Sequence, residues 1–245
     1  MTALGAIYRR EVASYFATPL AYVFIVIFLV LAGAFTFQLG GLYERGQADL
    51  APFFTFLPWL YLFLVPAIAM RLWAEERRSG SIELLLTLPV RPGTAVAAKF
   101  LAALSFVALA LALTFPLWIT VNYLGSPDNG AIVAAYVGGL LMAGGFLAVG
   151  SCLSAATRSQ VIAFILTVVV CFLLLLAGYP LVLDAFRGWA PDALVEAIAS
   201  LSFLTHFQAI SKGVLDLRDL VYFVLTIGTW LYATTLVLEL RKADP

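Results

Sequence analysis

The densest group of ionisable side chains lies between Met70 and Lys99. Four of them are consecutive: Glu75, Glu76, Arg77 and Arg78. Carboxylates beside guanidinium groups can form charge-assisted hydrogen bonds, either with one another or with a docking protein. Gly80 and Ser81 follow this run and precede an apolar segment. The chemistry that this pattern favours is therefore protein–protein contact.

The segment from Ser81 to Leu88 predicts a short helix beside a membrane, with leucines on one side and Glu83 on the other. It is too short to cross a bilayer, which needs about 20 apolar residues. Pro89 and Pro92 end it, because the residue before a proline is forced out of helical geometry. Such a helix would offer a docking surface between two membrane spans.

This order of residues resembles the cytoplasmic loop of ABC-2 type permeases, the membrane subunits of ABC exporters. The shared features are an acidic pair, a Gly-Ser step, an acidic residue, a leucine run and a proline. The resemblance implies a coupling helix that contacts an ABC ATP-binding subunit. The residues it assigns to coupling and partner binding are Glu75, Glu76, Arg77, Arg78, Gly80, Ser81, Glu83, Leu84, Leu85 and Leu88.

The composition is that of a membrane protein. The chain is 63% hydrophobic and 11% charged, with a mean hydropathy of +1.03, whereas soluble domains carry about 25% charged residues. A net charge of +0 gives no basis for nucleic-acid binding. Cys152 and Cys171 lie in apolar spans, which favours core packing over a disulfide or a metal site. We expect no signal-peptide cleavage, because the first apolar run lacks a small-residue cleavage site.

Apolar runs predict an all-α integral membrane protein with one domain, residues 1–245. The six predicted spans are residues 19–39, 52–70, 95–123, 131–153, 161–183 and 219–240. Lys99 is expected to extend to the membrane surface. In the fourth span, Gly139, Gly144 and Gly150 are each followed by a small residue four positions later, which predicts close helix packing. The resemblance implies an ABC-2, type V exporter-like architecture.

Two segments outside the spans are amphipathic. At the N-terminus, apolar residues recur at helical spacing beside Arg9, Arg10 and Glu11, which predicts an interfacial helix. That helix could be a membrane anchor or a second contact with the cytoplasmic partner. Glu75 and Glu76 are expected to pair with Arg77, Arg78 or basic groups of this helix.

The segment from Asp184 to Arg218 carries two apolar stripes and predicts two short helices in the outer membrane interface. They would bind a partner or shape an exit, and the candidate residues are Trp189, Leu194, Ile198, His206 and Phe207. We expect the lone histidine, His206, to be an interfacial residue and not a ligand. The stretch from Ser202 to Asp219 also resembles the gliding-motility-type permeases, which implies an accessory subunit with a large extracytoplasmic domain.

Orientation follows from basic residues, which are enriched on the cytoplasmic side of membrane proteins. With both termini cytoplasmic, ten of the 14 Lys and Arg residues face inward. They are Arg9, Arg10, Arg71, Arg77, Arg78, Arg91, Lys99, Arg158, Arg241 and Lys242. We therefore expect a multi-pass protein of the bacterial cytoplasmic (inner) membrane.

Catalytic motifs are absent from the sequence. It has no GxxxxGK[ST], HExxH or GxSxG pattern, and no ionisable residue near the middle of a predicted span, where proton pathways usually have one. The chain is thus expected to be no enzyme and to hold no cofactor or metal, with ATP and Mg²⁺ bound by the partner subunit.

Two functions remain open from the sequence. The first is the permease subunit of an ATP-driven exporter, assembled with a second copy or a homologous permease and with ATP-binding subunits in the lipid bilayer. The second is a membrane anchor or mechanotransmission subunit, which relays ATPase motion to an extracytoplasmic partner without transporting a substrate.

Overall fold

A computed structural model of the chain describes residues 2–82, 90–187, 191–214 and 216–242. Regular secondary structure in these ranges is helical throughout, which confirms the all-α prediction. The helices are α1 (Ala3–Phe16), α2 (Pro19–Ala34), α3 (Ala51–Ala69), α4 (Arg71–Ser79), α5 (Pro92–Ala112), α6 (Phe115–Leu124), α7 (Asn129–Ala156), α8 (Gln160–Leu176), α9 (Pro180–Arg187), α10 (Asp192–Ser200), α11 (Phe203–Ser211) and α12 (Leu217–Lys242). A π-helical turn, Phe35–Leu39, extends α2.

Five helical segments in the described ranges are long and apolar enough to cross a membrane, or six if α10 and α11 count as one bent span. The five are Ala21–Leu39, Ala51–Ser79, Pro92–Leu124, Asn129–Ala156 and Leu217–Leu240. We call the end of the bundle where α4 lies the proximal end. The distal end is the one where α3 and α7 begin.

The most buried of these helices is α7, which contacts α3, α4, α5, α8, α11 and α12. Its glycines allow close approach: a Cβ on Gly150 would lie 2.4 Å from the Cβ of Ala69, and one on Gly145 would lie 2.5 Å from the Phe203 ring. The predicted packing of small residues within the subunit is therefore observed along this helix.

The fifth predicted span, 161–183, differs from the observed helix. Helix α8 ends at Leu176 after 17 residues, a length of about 25 Å against a hydrocarbon core of about 30 Å. Beyond it, Ser202 Oγ donates a hydrogen bond to the Leu175 carbonyl oxygen at 3.2 Å. From there α11 continues along the distal half of α7, so α8 and α11 together cover this side of α7.

The two short helices predicted in this segment are observed as α10 and α11, and their position relative to a membrane stays a prediction. The second stripe, Phe203, Phe207 and Ile210, is buried inside the bundle, because it covers the part of α7 that α8 is too short to reach. In contrast, α10 is largely exposed and lies at 62° to α11.

The N-terminal helix lies against α5. The Tyr8 hydroxyl is 3.0 Å from Ser105 Oγ, and the Tyr15 ring stacks on Phe106 with centroids 5.2 Å apart. As a result, α1 is fixed to the bundle by specific contacts as well as by its apolar stripe.

Candidate functional site

The charged run of the sequence is helical. Glu75 to Arg78 lie on α4, where the sequence predicted a charged loop. This helix continues from α3 after a break at Met70 and ends at Gly80, whose φ of +72° is a left-handed conformation that favours glycine. Arg77 and Arg78 lie in its last turn, where cations interact favourably with the helix dipole.

Lys99 is the centre of a buried ionic cluster at the proximal end. Its Nζ lies 2.9 Å from Glu76 Oε1 and 3.2 Å from Glu11 Oε1, and its side chain is 3% exposed. The ammonium also lies 5.2 Å from the centroid of the Trp73 ring, a cation–π distance. The prediction that Lys99 extends to the surface is therefore wrong: two carboxylates from other helices take the place of water.

Arg10 completes this cluster from its exposed side. Its Nη2 lies 2.8 Å from Glu11 Oε1 and 3.5 Å from Glu76 Oε1. The hydrogen bond to Glu11 raises the pKa of the guanidinium, against the opposing effect of burial. The predicted pairing of Glu76 with the N-terminal helix is confirmed, whereas Glu75 pairs with Arg71 at 3.0 Å. Arg9 contributes to none of these ion pairs, so α1, α4 and α5 are joined by Arg10, Glu11, Glu76 and Lys99.

One oxygen of this cluster has further bonding capacity. Glu76 Oε2 is buried and has no hydrogen-bond partner among the described residues. Removing a carboxylate oxygen from water costs free energy unless it is paired. The position of Glu76 therefore depends strongly on the cations that contact its other oxygen.

The break between α3 and α4 is stabilised by α7. Ser154 Oγ accepts hydrogen bonds from the backbone N–H groups of Trp73 and Ala74 at 3.1 and 3.0 Å. It also donates to the Met70 carbonyl oxygen at 2.9 Å. The first N–H groups of a helix have no partner within the helix, so one serine hydroxyl satisfies two of them.

Two further contacts connect α4 to α7. The fully buried Trp73 donates its indole N–H to Ser151 Oγ at 3.0 Å. Arg77 Nη1 donates to the Ala155 carbonyl oxygen at 2.6 Å. Of the predicted coupling residues, Arg77 thus contacts the bundle directly, while Gly80 and Ser81 lie just beyond α4.

The remaining coupling residues belong to the predicted helix from Ser81 to Leu88. The predicted helix begins with helical backbone at Ser81 and Ile82. Glu83, Leu84, Leu85 and Leu88 lie outside the described residues, as does Trp189 of the distal segment.

A second buried polar site lies toward the distal end. His206 Nδ1 is 2.5 Å from Asp219 Oδ1, and its Nε2 is 3.0 Å from the Ser200 carbonyl oxygen. The ring is 7% exposed and stacks on Tyr222 with centroids 3.9 Å apart. His206 is therefore buried in the bundle with Asp219 and the Ser200 carbonyl as polar partners, and its position relative to a membrane stays a prediction.

The predicted distal residues do not form one site. Phe207 is buried beside Gly138 on α7, whereas Leu194 and Ile198 lie on α10, where Leu194 is exposed. Sequence reasoning missed Asp219, although an acidic residue in the first turn of an apolar span is itself a signal.

These contacts define a multi-pass helical membrane protein whose proximal end is held together by charge. Among the described residues, no three His, Cys, Asp or Glu side chains are grouped to hold a metal ion. Residues 6–240 match the family model described as ABC-2 family transporter protein. The chain belongs to that family, and membership implies association with an ABC ATP-binding subunit. No curated protein shows a significant match to the chain.

Proposed function

We propose that this protein is the permease subunit of an ATP-driven exporter in the bacterial cytoplasmic membrane, and that a separate nucleotide-binding subunit supplies the energy. The observation that carries the proposal is the family match across nearly the whole chain, on a bundle whose described residues contain five to six apolar candidate spans. The chain itself would hydrolyse no ATP, and ATP and Mg²⁺ would bind to the partner subunit.

The proximal cluster supports a mechanical role. Segment 80–91 connects α4 to α5, and the Glu76–Lys99 ion pair joins the same two helices directly. A force applied to the connecting segment would therefore displace α4 and α5 together. Because α4 is hydrogen-bonded to α7 through Ser154, the displacement would reach the centre of the bundle.

In this proposal the helix from Ser81 to Leu88 is the coupling helix. Leu84, Leu85 and Leu88 would pack in a groove of the ATP-binding subunit, and Glu83 would form a charged contact at its edge. Truncating one partner of a buried, hydrogen-bonded charge pair can cost about 2–5 kcal/mol, which is enough to weaken docking at least about tenfold.

The decisive experiment is the double variant Glu83→Ala, Leu85→Ala, assayed for co-purification of the ATP-binding subunit, ATP hydrolysis and transport. We expect loss of the subunit or ATP hydrolysis without transport, with the membrane fold intact. The matched control is Leu194→Ala, Glu196→Ala, which makes the same two changes on α10 and should leave subunit binding unchanged. Normal binding and coupled activity in the first variant would overturn the coupling role.

The assembly would contain two permeases, either identical or homologous, with both termini cytoplasmic. Cysteines at Ser79 and Asn129, in a background lacking Cys152 and Cys171, test the orientation: only the second should react with an impermeant reagent outside intact cells. An accessory extracytoplasmic subunit would identify the gliding-motility-type subgroup. If the complex hydrolyses ATP but moves no substrate in proteoliposomes, while an extracytoplasmic partner responds, the protein is a mechanotransmission subunit instead.

A further inference from the structure

A cavity lies at the distal end of the bundle. It has a volume of about 600 Å³ and is lined by the first turns of α3 and α7 and by one side of α11. This volume falls within the range of about 300–1,000 Å³ that is typical of small-molecule sites. The residues that line the cavity take no part in the proximal cluster.

The inner wall of the cavity is apolar. Phe54 from α3, Ile132 from α7 and Phe207 from α11 line it and are buried. Side chains of this kind bind hydrocarbon and offer no hydrogen bonds. A fully polar ligand would therefore make no apolar contact with this wall.

Charged groups of both signs line the same cavity. Asp49 and Asp128 contribute carboxylates, and Lys212 contributes an ammonium group. Lys212 is exposed and has no ion pair with another described residue. A ligand that carries one negative and one positive group would match this set.

Both carboxylates are held in place by the backbone. Asp49 Oδ1 accepts a hydrogen bond from the Ala51 N–H at 3.1 Å. Asp128 Oδ1 accepts from the Gly130 and Ala131 N–H groups at 2.9 and 3.1 Å. Asp128 thus caps α7 with one oxygen, which leaves its second oxygen available for a ligand. Asp49 Oδ2 lies 3.8 Å from Arg45 Nη2 in an exposed ion pair.

The cavity lies where two membrane-spanning helices begin, and therefore at the boundary between hydrocarbon and water. An occupant there would place its polar part among the charged side chains and its apolar part against the inner wall. This is the orientation of a membrane lipid.

From this placement we propose that the distal cavity binds a zwitterionic phospholipid with a primary ammonium headgroup, of the phosphatidylethanolamine type. Its phosphate would contact Lys212, and its ammonium would donate hydrogen bonds to Asp128 and, in place of the exposed Arg45 ion pair, to Asp49. The first methylenes of its acyl chains would pack on Phe54 and Phe207. A choline headgroup lacks N–H donors and matches the carboxylates less well. This site is independent of the proposed coupling to an ATPase.

Native mass spectrometry of the full-length protein, with an equal mixture of phosphatidylethanolamine, phosphatidylcholine and phosphatidylglycerol, tests the proposal. We expect phosphatidylethanolamine to be retained in preference to both other lipids. In the double variant Asp49→Asn, Asp128→Asn and in the single variant Lys212→Gln, phosphatidylethanolamine binding should fall about tenfold, as expected for the loss of a charge-assisted hydrogen bond. Asparagine still caps a helix, so the first variant should fold.

The matched control is Asp216→Asn, the same substitution outside the cavity lining, which should leave lipid retention unchanged. Equal retention of the three lipids by the unmodified protein would overturn the proposal. So would retention of phosphatidylethanolamine that is insensitive to the cavity variants. A preference for phosphatidylglycerol that only Lys212→Gln removes would also overturn it, because it would identify a site for anionic lipids.

Discussion

Within the described residues, the bundle buries titratable side chains in two places that are built differently. At the proximal end, Lys99 contacts two carboxylates on two other helices. Toward the distal end, His206 pairs with Asp219, which is 13 residues away in the chain. The proximal cluster thus joins helices that are distant in sequence, while the distal pair fixes α11 to the helix that follows it.

This difference bears on what each site can do. Loss of the proximal cluster would release α1 and separate α4 from α5, the helices on either side of the proposed coupling segment. Loss of the distal pair would loosen α11, which covers the end of α7 that α8 does not reach. We therefore expect the proximal cluster to matter for the whole bundle and the distal pair to matter locally.

The largest effect should come from Lys99→Met, which leaves Glu11 and Glu76 with the exposed Arg10 in place of their buried cation. Breaking a buried ion pair by removing one partner costs about 3–5 kcal/mol. Thermal unfolding of the purified protein should show a marked fall in Tm. The matched control is Lys212→Met at an exposed lysine, where little change is expected. Equal Tm values for the two variants would show that the buried lysine of the proximal cluster contributes no more to stability than an exposed lysine.

The next effect should come from His206→Phe, which keeps an aromatic ring against Tyr222 but leaves Asp219 buried without its partner. Hydrogen bonds to charged groups contribute about 1.5–3 kcal/mol, so stability should fall by about that amount. Hydrogen exchange should increase within residues 203–211 and change little in α4.

A double variant sharpens this prediction. His206→Phe with Asp219→Leu removes both polar partners and should recover part of the lost stability, because no unpaired carboxylate remains. If the stability losses of His206→Phe and Asp219→Leu simply add, the two residues are not energetically coupled. The pair would then not be what fixes α11 to α12.

A smaller effect is expected from glycine replacements that compare the two ends of α7. Gly150→Ala would place a Cβ 2.4 Å from the Cβ of Ala69, while Gly138→Ala would meet the Cγ2 of Ile210 at 2.8 Å. Overpacking costs about 1–3 kcal/mol, and the approach is closer at Gly150, where the Ala69 Cβ cannot move without its backbone. Tm should therefore fall more for Gly150→Ala. Gly228→Ala, which meets open space, is the control, and a greater loss for Gly138→Ala would contradict the prediction.

The smallest effect should come from Arg10→Ala. The Arg10 side chain is 58% exposed, and exposed ion pairs contribute less than about 1 kcal/mol. Tm should change little and the difference should shrink further in high salt. A loss comparable to that of Lys99→Met would show that the cluster depends on its exposed cation as much as on its buried one.

Several features of this protein could be predicted from the sequence because their causes are local. Long apolar runs indicated membrane helices, and small residues four positions apart indicated the close packing of α7. The motif that follows Met70 indicated the ABC-2 family, which the match across residues 6–240 confirms. In each case neighbouring residues along the chain carry the physical signal.

Other features were decided by tertiary structure. Lys99 lies in an apolar helix, and nothing near it in the chain shows that Glu11 and Glu76 will surround its ammonium group. The stripe of α11 fits a surface helix equally well, and it is buried only because α8 ends short of the distal end of α7. The cavity between α3, α7 and α11 likewise requires three distant segments to meet. A buried charge is stable only where its partners converge, and the packing of the helices determines where they do.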